Sequence, residues 1–544
     1  MRIPAERPDR VQALAQQAPD RVTEAVAAER AERRAGQCVR AGNAAHADQQ
    51  ADRDQQRNHR HDHAHHDQRI AERDEEDHRA GRMRMCADPC QQAVDPGRNH
   101  APIIGRRRWR VGCARRCRHG DQRCRPFSIE SIAMSPSPSQ AAELLALADN
   151  FYLPVYAQRR MVIERGQGAR IWDTDGNEYV DFAAGIAVCG FGHADPDLVD
   201  ALVTQAQKIW HHSNVFHSEP PLLLAQELVE ASKFATHVFF TNSGAEANEA
   251  AIKLARKWAS KRGVPPENRV IVSFKGSFHG RTLATVTATA QPKYQAGYEP
   301  LPQGFRYAEF NDLDSLREAM AQGDVIGVLL EPVQGEGGCT PVAPGFLRGV
   351  RELCDAHDAL LILDEIQCGM GRTGTLFAHW QDEVTPDIVT LAKALGGGFP
   401  IGAMLSGPKL AEAMYIGAHG STFGGNPLAA AVASAVLKKL RSAEIVANVK
   451  KQETAFRDAL AAINAELDLF SEVRGRGLML GAALKPEHAG KAAAILDIAA
   501  AHGVLLLNAG PDVLRFVPAL NIADVDVAEG FVRLRAALAQ FKQS

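Results

Sequence analysis

The sequence predicts an α/β protein built on a mostly parallel sheet with helices on both faces. Three observations carry this. Short apolar runs near 238–241, 269–274, 325–331, 360–364, 387–391 and 401–406 alternate with helical patterns such as 313–320 and 344–357. Two of the runs, 360–364 and 387–391, lead straight into charged residues and glycines, the mark of buried parallel strands whose C-terminal ends open into a site. At 544 residues and 45% apolar composition, the chain can supply a large core over most of its length.

Taken in order, residues 1–133 stand apart. They hold 26 Arg and no Lys against 20 Asp plus Glu, a formal +6 that leaves −9 on the remainder of a chain whose net charge is −3. Runs such as Arg60-His61-Asp62-His63 show no apolar period and too little hydrophobic content to fold. Cysteines at 86, 90, 113, 117 and 124 among scattered histidines invite a zinc reading, and the arginines invite a nucleic-acid one. The spacing misses the paired C-x2-C arrangement, and a mixed Arg/Asp/His/Gln tract fits a solvated tail better, so neither a metal nor a nucleic acid is expected. The expectation is a disordered or spurious extension, with Met134 as the natural start. A targeting peptide fits less well, because acidic residues are frequent and no apolar core segment appears.

A first small lobe is expected at 134–190, where Ala169-Arg170-Ile171-Trp172 and Tyr179-Val180-Asp181-Phe182 flank an Asp175-Gly176 turn and read as a hairpin. The large domain follows at 191–430. A second small lobe, 431–544, mixes alanine-rich helices with strands at 504–507 and 514–517. Cys189, Cys339, Cys354 and Cys368 lack framework spacing, which suits reduced thiols and a cytoplasmic location; Cys368 fits a small buried hydrophobe. No stretch is long and apolar enough to cross a membrane, and the −9 of this part argues against nucleic acid.

Within the large domain the chemistry gathers at strand ends. Lys393 follows Ile388-Val389-Thr390-Leu391 and enters the turn Gly396-Gly397-Gly398, where its amine can be desolvated and its pKa lowered until it attacks a carbonyl. A lysine near glycines is more often a solvated loop residue, so its neighbours decide. Asp364 ends the run Leu360-Leu361-Ile362-Leu363, and a buried carboxylate needs a cationic partner. The protonated ring nitrogen of pyridoxal phosphate offers one; a turn-capping aspartate is the alternative. Ser243, Gly244 and Ala245 lie between a strand and a helix start, where bare N–H groups and the helix dipole suit a phosphate. Ser243 with Glu246 equally fits an ordinary capping box. Phe278 can stack on a flat ring and Arg281 can grip a carboxylate, although both also fit surface packing.

Together the segments NSGAEANE (242–249), SFHGRT (277–282), EPVQGEGG (331–338), LDEIQCGMGRTG (363–374), AKALGGGFPIGAM (392–404) and GSTFGGNPLA (420–429) resemble the class III, fold-type I, pyridoxal-phosphate aminotransferases. The resemblance runs from about residue 150 to the C-terminus and is strongest toward the acetylornithine and succinylornithine aminotransferases of arginine metabolism. It implies that Lys393 binds the cofactor and shuttles the proton, that Asp364 pairs with the ring nitrogen, and that Gln367 reaches the ring hydroxyl. It further implies that Phe278 stacks on the ring, Ser243, Gly244 and Ala245 hold the phosphate, and Thr422 reaches the phosphate of the neighbouring subunit in a homodimer.

For substrates, the resemblance implies an amine donor and 2-oxoglutarate handled in turn. Arg281 is expected to take the α-carboxylate of the donor, and Arg515 that of glutamate, with Glu336 pairing with Arg515 as a gate while the donor is bound. A plain surface salt bridge is the rival account of that pair. Ser421, Tyr156 and Asn214 fall in stretches that line the substrate pocket of related enzymes, and a packed subunit interface explains the last two as well. The implied reaction moves the terminal amine of N-acetylornithine or N-succinylornithine to 2-oxoglutarate. Ornithine or 4-aminobutyrate transfer, an aminomutase and a non-enzymatic regulator are the alternatives; the arginine–glutamate pair and the full set of motifs favour transfer.

Overall fold

The computed structural model describes residues 138–544. The expected 1–133 extension and its cysteines lie outside the described residues. After a helix at Pro138–Phe151 come three antiparallel strands, β1 (Ile163–Gln167), β2 (Arg170–Asp173) and β3 (Glu178–Asp181). The Asp-Gly turn between β2 and β3 closes on Asp173, whose Oδ1 accepts from the backbone of Asp175 and Asn177.

The large sheet uses β4 (His237–Thr241), β5 (Val270–Phe274), β6 (Phe305–Ala308) and β7 (Val325–Leu330). After a short ribbon, β8 (Val333–Gln334) and β9 (Thr340–Pro341), it is completed by β10 (Leu360–Asp364), β11 (Ile388–Leu391) and β12 (Gly402–Ser406). Their order is β4-β12-β11-β10-β7-β5-β6. Only β12 runs against its neighbours, so the sheet is mostly parallel, as expected. Every residue of β5, β7, β10, β11 and β12 is buried, because helices cover both faces.

One covering helix, Gly244–Lys261, turns Ala250, Ala251, Ala255 and Ala259 toward Ile271, Leu329 and Ile362. Those alanines let the helix axis come close to the strands. The other face is closed by Phe346–Ala356, a strongly amphipathic helix that buries Phe346, Leu347, Val350 and Cys354. The helix expected at 313–320 occupies Leu313–Met320, and the one expected at 344–357 occupies Phe346–Ala356. The edge strand β6 was not expected: Phe-Arg-Tyr-Ala buries only its last residue and so offers no apolar run.

A third sheet, all antiparallel, is ordered β13 (Phe470–Arg476), β14 (Met479–Leu484), β17 (Val513–Phe516) and β16 (Leu507–Asn508). The expected strand at 504–507 divides. Val504–Leu505, β15, leaves the third sheet and pairs in parallel with β3 of the first. The two ends of the described chain therefore share one sheet. Phe182, just after β3, cements the junction by packing 4.9 Å from Phe456 and 5.4 Å from Phe531, centroid to centroid. Gly530 makes room for it, because a Cβ there would stand 2.3 Å from the tip of the Phe182 ring. We expect Gly530→Ala to lower stability by about 1–3 kcal/mol through overpacking, read as a fall in the thermal midpoint; an unchanged midpoint would show that the ring moves aside freely.

Candidate active site

The site is built where strand ends fall in line. Leu330 of β7 pairs with Leu363 of β10, and Asp364 pairs with Thr390 of β11, so the next residues along each strand, Glu331, Asp364 and Thr390, emerge side by side at the C-terminal edge of the sheet. Beyond them lies a cavity of about 420 Å³ lined by Ser243, Gly244, Ala245, Phe278, Arg281, Glu331, Asp364, Gln367 and Lys393, among others. Seven of the residues expected from the sequence to hold a cofactor thus surround one space.

Asp364 is buried and each of its oxygens is engaged. Oδ1 accepts from the backbone of Ile366 at 3.0 Å, and Oδ2 lies 2.7 Å from Asn248 Nδ2 and 2.8 Å from His279 Nδ1. Asn248 in turn accepts from Thr390 Oγ1 at 2.7 Å and donates to the carbonyl of His279 at 2.8 Å. This closed network orients the carboxylate, as buried polar groups require. His279 Nε2 is buried with no partner among the described residues.

Lys393 opens a 3₁₀ turn after β11 with φ of 45°, a left-handed conformation uncommon for a lysine and one that persists only where its surroundings hold it. Burial, reinforced by the positive charge of Arg515, pulls its pKa down to about 8. The desolvation inferred from the glycine-rich turn is thus present. Glu331 moves the opposite way: burial, with the nearby Asp364 charge adding to it against the pull of His279, pushes its carboxyl up to about 7. Its Oε2 accepts from Phe278 N at 3.0 Å and its Oε1 from Gly335 N at 3.2 Å.

The phosphate-suited turn sits at the start of the Gly244–Lys261 helix. Ser243 is its N-cap, accepting from Glu246 N at 3.2 Å, while Glu246 reaches back to Asn242 N at 2.6 Å. Ser243 thus caps the helix as expected, but Glu246 closes on Asn242 and not on the N-cap amide that a capping box requires; the first-turn N–H groups of Gly244 and Ala245 are left without intrahelical partners. Gly402 of β12 lets this turn pack onto the sheet, since a Cβ there would meet Thr241 Oγ1 at 2.4 Å. Phe278 lines one wall with its ring edge-on to Tyr294 at 5.9 Å, and the Arg281 guanidinium stacks 4.1 Å over the same tyrosine at the exposed rim.

Arg515 and Glu336 form an ion pair at 2.6 Å, and Arg515 Nη1 also reaches Gln367 Oε1 at 3.3 Å. The rival surface-pair account fails here, because the arginine is 3% exposed. Its Nε is buried without a partner among the described residues, so donor capacity remains. Ser421 Oγ accepts from Asn242, which lines the cavity, at 3.2 Å. Asn214 donates to the carbonyls of Ser421 and Gly424 at 2.8 and 3.0 Å. Within the single chain neither Asn214, Thr422 nor Tyr156 lines the cavity; Tyr156 is 78% exposed and borders a separate surface groove. Tyr156 and Asn214 are both exposed in this chain, away from the lining of its own cavity.

Sequence reasoning passed over Asn248, His279 and Glu331 as functional residues. Asn248 lies one helical turn past Gly244 and on its face, a spacing that could have marked it.

These residues fit pyridoxal phosphate. The cavity offers free N–H groups at a helix start for a phosphate, a flat aromatic wall, a netted carboxylate for a ring nitrogen and a desolvated amine.

Comparison with known proteins gives the same direction. Residues 152–538 match the family model described as aminotransferase class III. The chain is 68% identical over 403 residues to an acetylornithine aminotransferase of Xanthomonas campestris pathovar campestris, covering 74% of this chain and 99% of that one. It is 49% identical over 397 residues to a succinylornithine transaminase of Yersinia enterocolitica, covering 72% and 95%. The crystal structure of an N-acetylornithine aminotransferase from Stenotrophomonas maltophilia superimposes with a TM-score of 0.65 at 61% identity, over 73% of this chain and 99% of that one.

A lysine lowered to about pH 8 from its ordinary 10.5 is neutral, and so nucleophilic, above pH 8. Capture of an aldehyde by the cofactor-free protein should therefore rise with pH to half its maximum near pH 8. A midpoint near 10.5 would mean that the amine is solvated.

Proposed function

The chain belongs to the class III aminotransferases, and on that premise we propose that it moves the terminal amine of N-acetylornithine to 2-oxoglutarate, giving the semialdehyde and glutamate. The observation that carries this reading is the pair of buried Arg515 with part-exposed Glu336, joined through Gln367 to the cavity that Lys393 lines, because a two-substrate exchange needs a cation that can be offered to one substrate and masked from the other. The higher identity to an acetylornithine than to a succinylornithine enzyme favours the acetyl donor, and the succinyl donor is the second reading.

Pyridoxal phosphate, the cofactor of this family, supplies when bound an electrophilic carbonyl and a ring that withdraws electrons from the carbon bearing the amine. Gly244 and Ala245, with the Ser243 hydroxyl, would hold its phosphate at the helix start, and Phe278 would pack on its face. Asp364 would hold its ring nitrogen protonated, since the carboxylate is already oriented by Asn248 and His279. Gln367 would meet its ring hydroxyl. Lys393 Nζ, whose pKa is drawn down to about 8, accepts in its neutral form the proton leaving the amine-bearing carbon and holds it until it is returned.

Arg281 at the rim binds the α-carboxylate of the donor, so that the distal amine points inward toward Lys393. While the donor is bound, Glu336 stays on Arg515 and cancels its charge. When glutamate or 2-oxoglutarate enters, its α-carboxylate displaces Glu336 and takes the guanidinium, whose unpartnered Nε leaves a donor for it. Ser421 stands between the phosphate turn and the Asn214 segment, where it can meet the donor.

A homodimer completes the reading. Phe151, Tyr152, Leu153, Val155, Tyr156, Val215, Phe216 and Phe423 are all exposed, an apolar surface of the sort a subunit interface covers. Thr422 is exposed on the same turn that Asn214 ties down, which suits a residue meant for the neighbouring subunit's cofactor phosphate. In that assembly Tyr156 and Asn214 would reach a pocket they do not line in their own chain.

Initial rates with N-acetylornithine, N-succinylornithine, ornithine and 4-aminobutyrate against 2-oxoglutarate should rank N-acetylornithine first; a preference for 4-aminobutyrate would sink the donor assignment. Lys393→Ala should abolish the visible absorbance of the lysine-bound cofactor and cut turnover by at least roughly 10²–10⁴-fold, the usual worth of a proton carrier. An unaltered spectrum would refute the role of the lysine.

A further inference from the structure

We propose that Arg474 is a positioning residue for the substrate gate: it holds the backbone carrying Glu336 on the third sheet, in line with Arg515. The inference rests on reading Arg515 as the carboxylate-binding residue and Glu336 as its displaceable mask.

Register brings the parts together. Arg474 of β13 pairs with Gly481 of β14, and Gly481 pairs with Arg515 of β17, so the three form one row across the sheet. Residues paired across antiparallel strands share a face, and the two arginines flank a place with no side chain. A Cβ on Gly481 would stand 3.0 Å from Gly338 O and 3.0 Å from Cys339 Cβ. The Gly338-Cys339 segment thus packs directly on the sheet over Gly481, beside Val513 Cγ1, which would stand 2.9 Å from the same Cβ.

Arg474 closes on that backbone from one side. Its Nε donates to Gly338 O at 2.7 Å, while Glu472 on its own strand steadies the far end of the guanidinium. Gly338 has φ of 90°, and a Cβ there would collide with Arg474 Nη2 at 2.3 Å, so both the backbone shape and the contact call for glycine. Arg515 meets Glu336 from the other side. At the start of the segment, Glu331 accepts from Gly335 N. The stretch from Gly335 to Gly338 is therefore pinned at both ends, and Glu336 swings as a side chain over a fixed backbone. Without the hold at Gly338 the backbone drifts, Glu336 competes less well for Arg515, and the cation stands open to glutamate throughout the cycle.

The test is single-turnover kinetics of the two half-reactions in holoenzyme, one with N-acetylornithine and one with glutamate. Arg474→Met, which keeps the aliphatic stem but not the donor, should shift the ratio of the two kcat/KM values toward glutamate by roughly tenfold, the scale for losing a charged hydrogen bond. Arg474→Lys, which retains a cationic donor, should restore most of the ratio. Gly481→Ala, which presses on Gly338 O from below, should shift it the same way and serves if Arg474→Met does not fold. A lower melting point with both half-reactions slowed equally would overturn the proposal, since a purely structural arginine acts that way. Glu336→Gln separates the underlying reading: if it moves the ratio and the Arg474 and Gly481 variants do not, the positioning role fails alone; if it leaves the ratio unmoved, the gate itself fails.

Discussion

The site depends on one electrostatic constraint: a carboxylate set at the end of a strand that is buried on both faces. Asp364 cannot be solvated there, and charge in such a place survives only with hydrogen bonds and a partner of opposite sign. Asn248, His279 and the Ile366 amide supply the bonds, and each comes from a different element. The helix at Gly244 must sit close enough for Asn248 to reach, which explains its alanine face. The segment after β5 must turn inward to bring His279, and that turn also sets Phe278 on the wall. The cation that balances the charge is the remaining part, and a protonated pyridine ring meets that requirement.

A second level of organisation concerns opposite charges held apart from the solvent and from each other. Lys393 loses its proton more easily because it is desolvated and, in addition, because Arg515 is near, and Arg515 is tolerated in the interior because Glu336 and Gln367 face it. Moving Glu336 therefore alters the field at the lysine as well as the space for a substrate. In the proposed reaction the exchange of substrates and the readiness of the amine would be linked through one guanidinium, which the third sheet places by strand register.

Much of this was legible in the residues themselves. The runs Leu360–Leu363 and Ile388–Leu391 are apolar except for Thr390 and stop at charged or glycine-rich turns, so their burial and their open ends follow from composition. Lys393, Asp364 and the Ser243-Gly244-Ala245 turn were readable for the same reason: each interrupts a pattern at its edge. Asn248, His279 and Glu331 were harder, because an asparagine within a helix or a glutamate after a strand takes its meaning from what lies across the fold. The strand Phe305–Ala308 hid because an edge strand has one neighbour and alternates with polar residues. Tyr156 could not be placed by any rule of spacing, since it stands 78% exposed among the described residues.

The parallel pair of β3 with β15 has a consequence for biogenesis. The amides of Val180 and Phe182 are satisfied by the carbonyls of Gly503 and Leu505, more than three hundred positions downstream in the order of synthesis. While the ribosome is still making the middle of the chain, that strand edge is open and its aromatic neighbour has nothing to rest on. Closure of so long a loop is slow, and an uncovered edge invites intermolecular pairing meanwhile. A nascent chain of this protein therefore carries that unpaired edge until Gly503–Leu505 have been made.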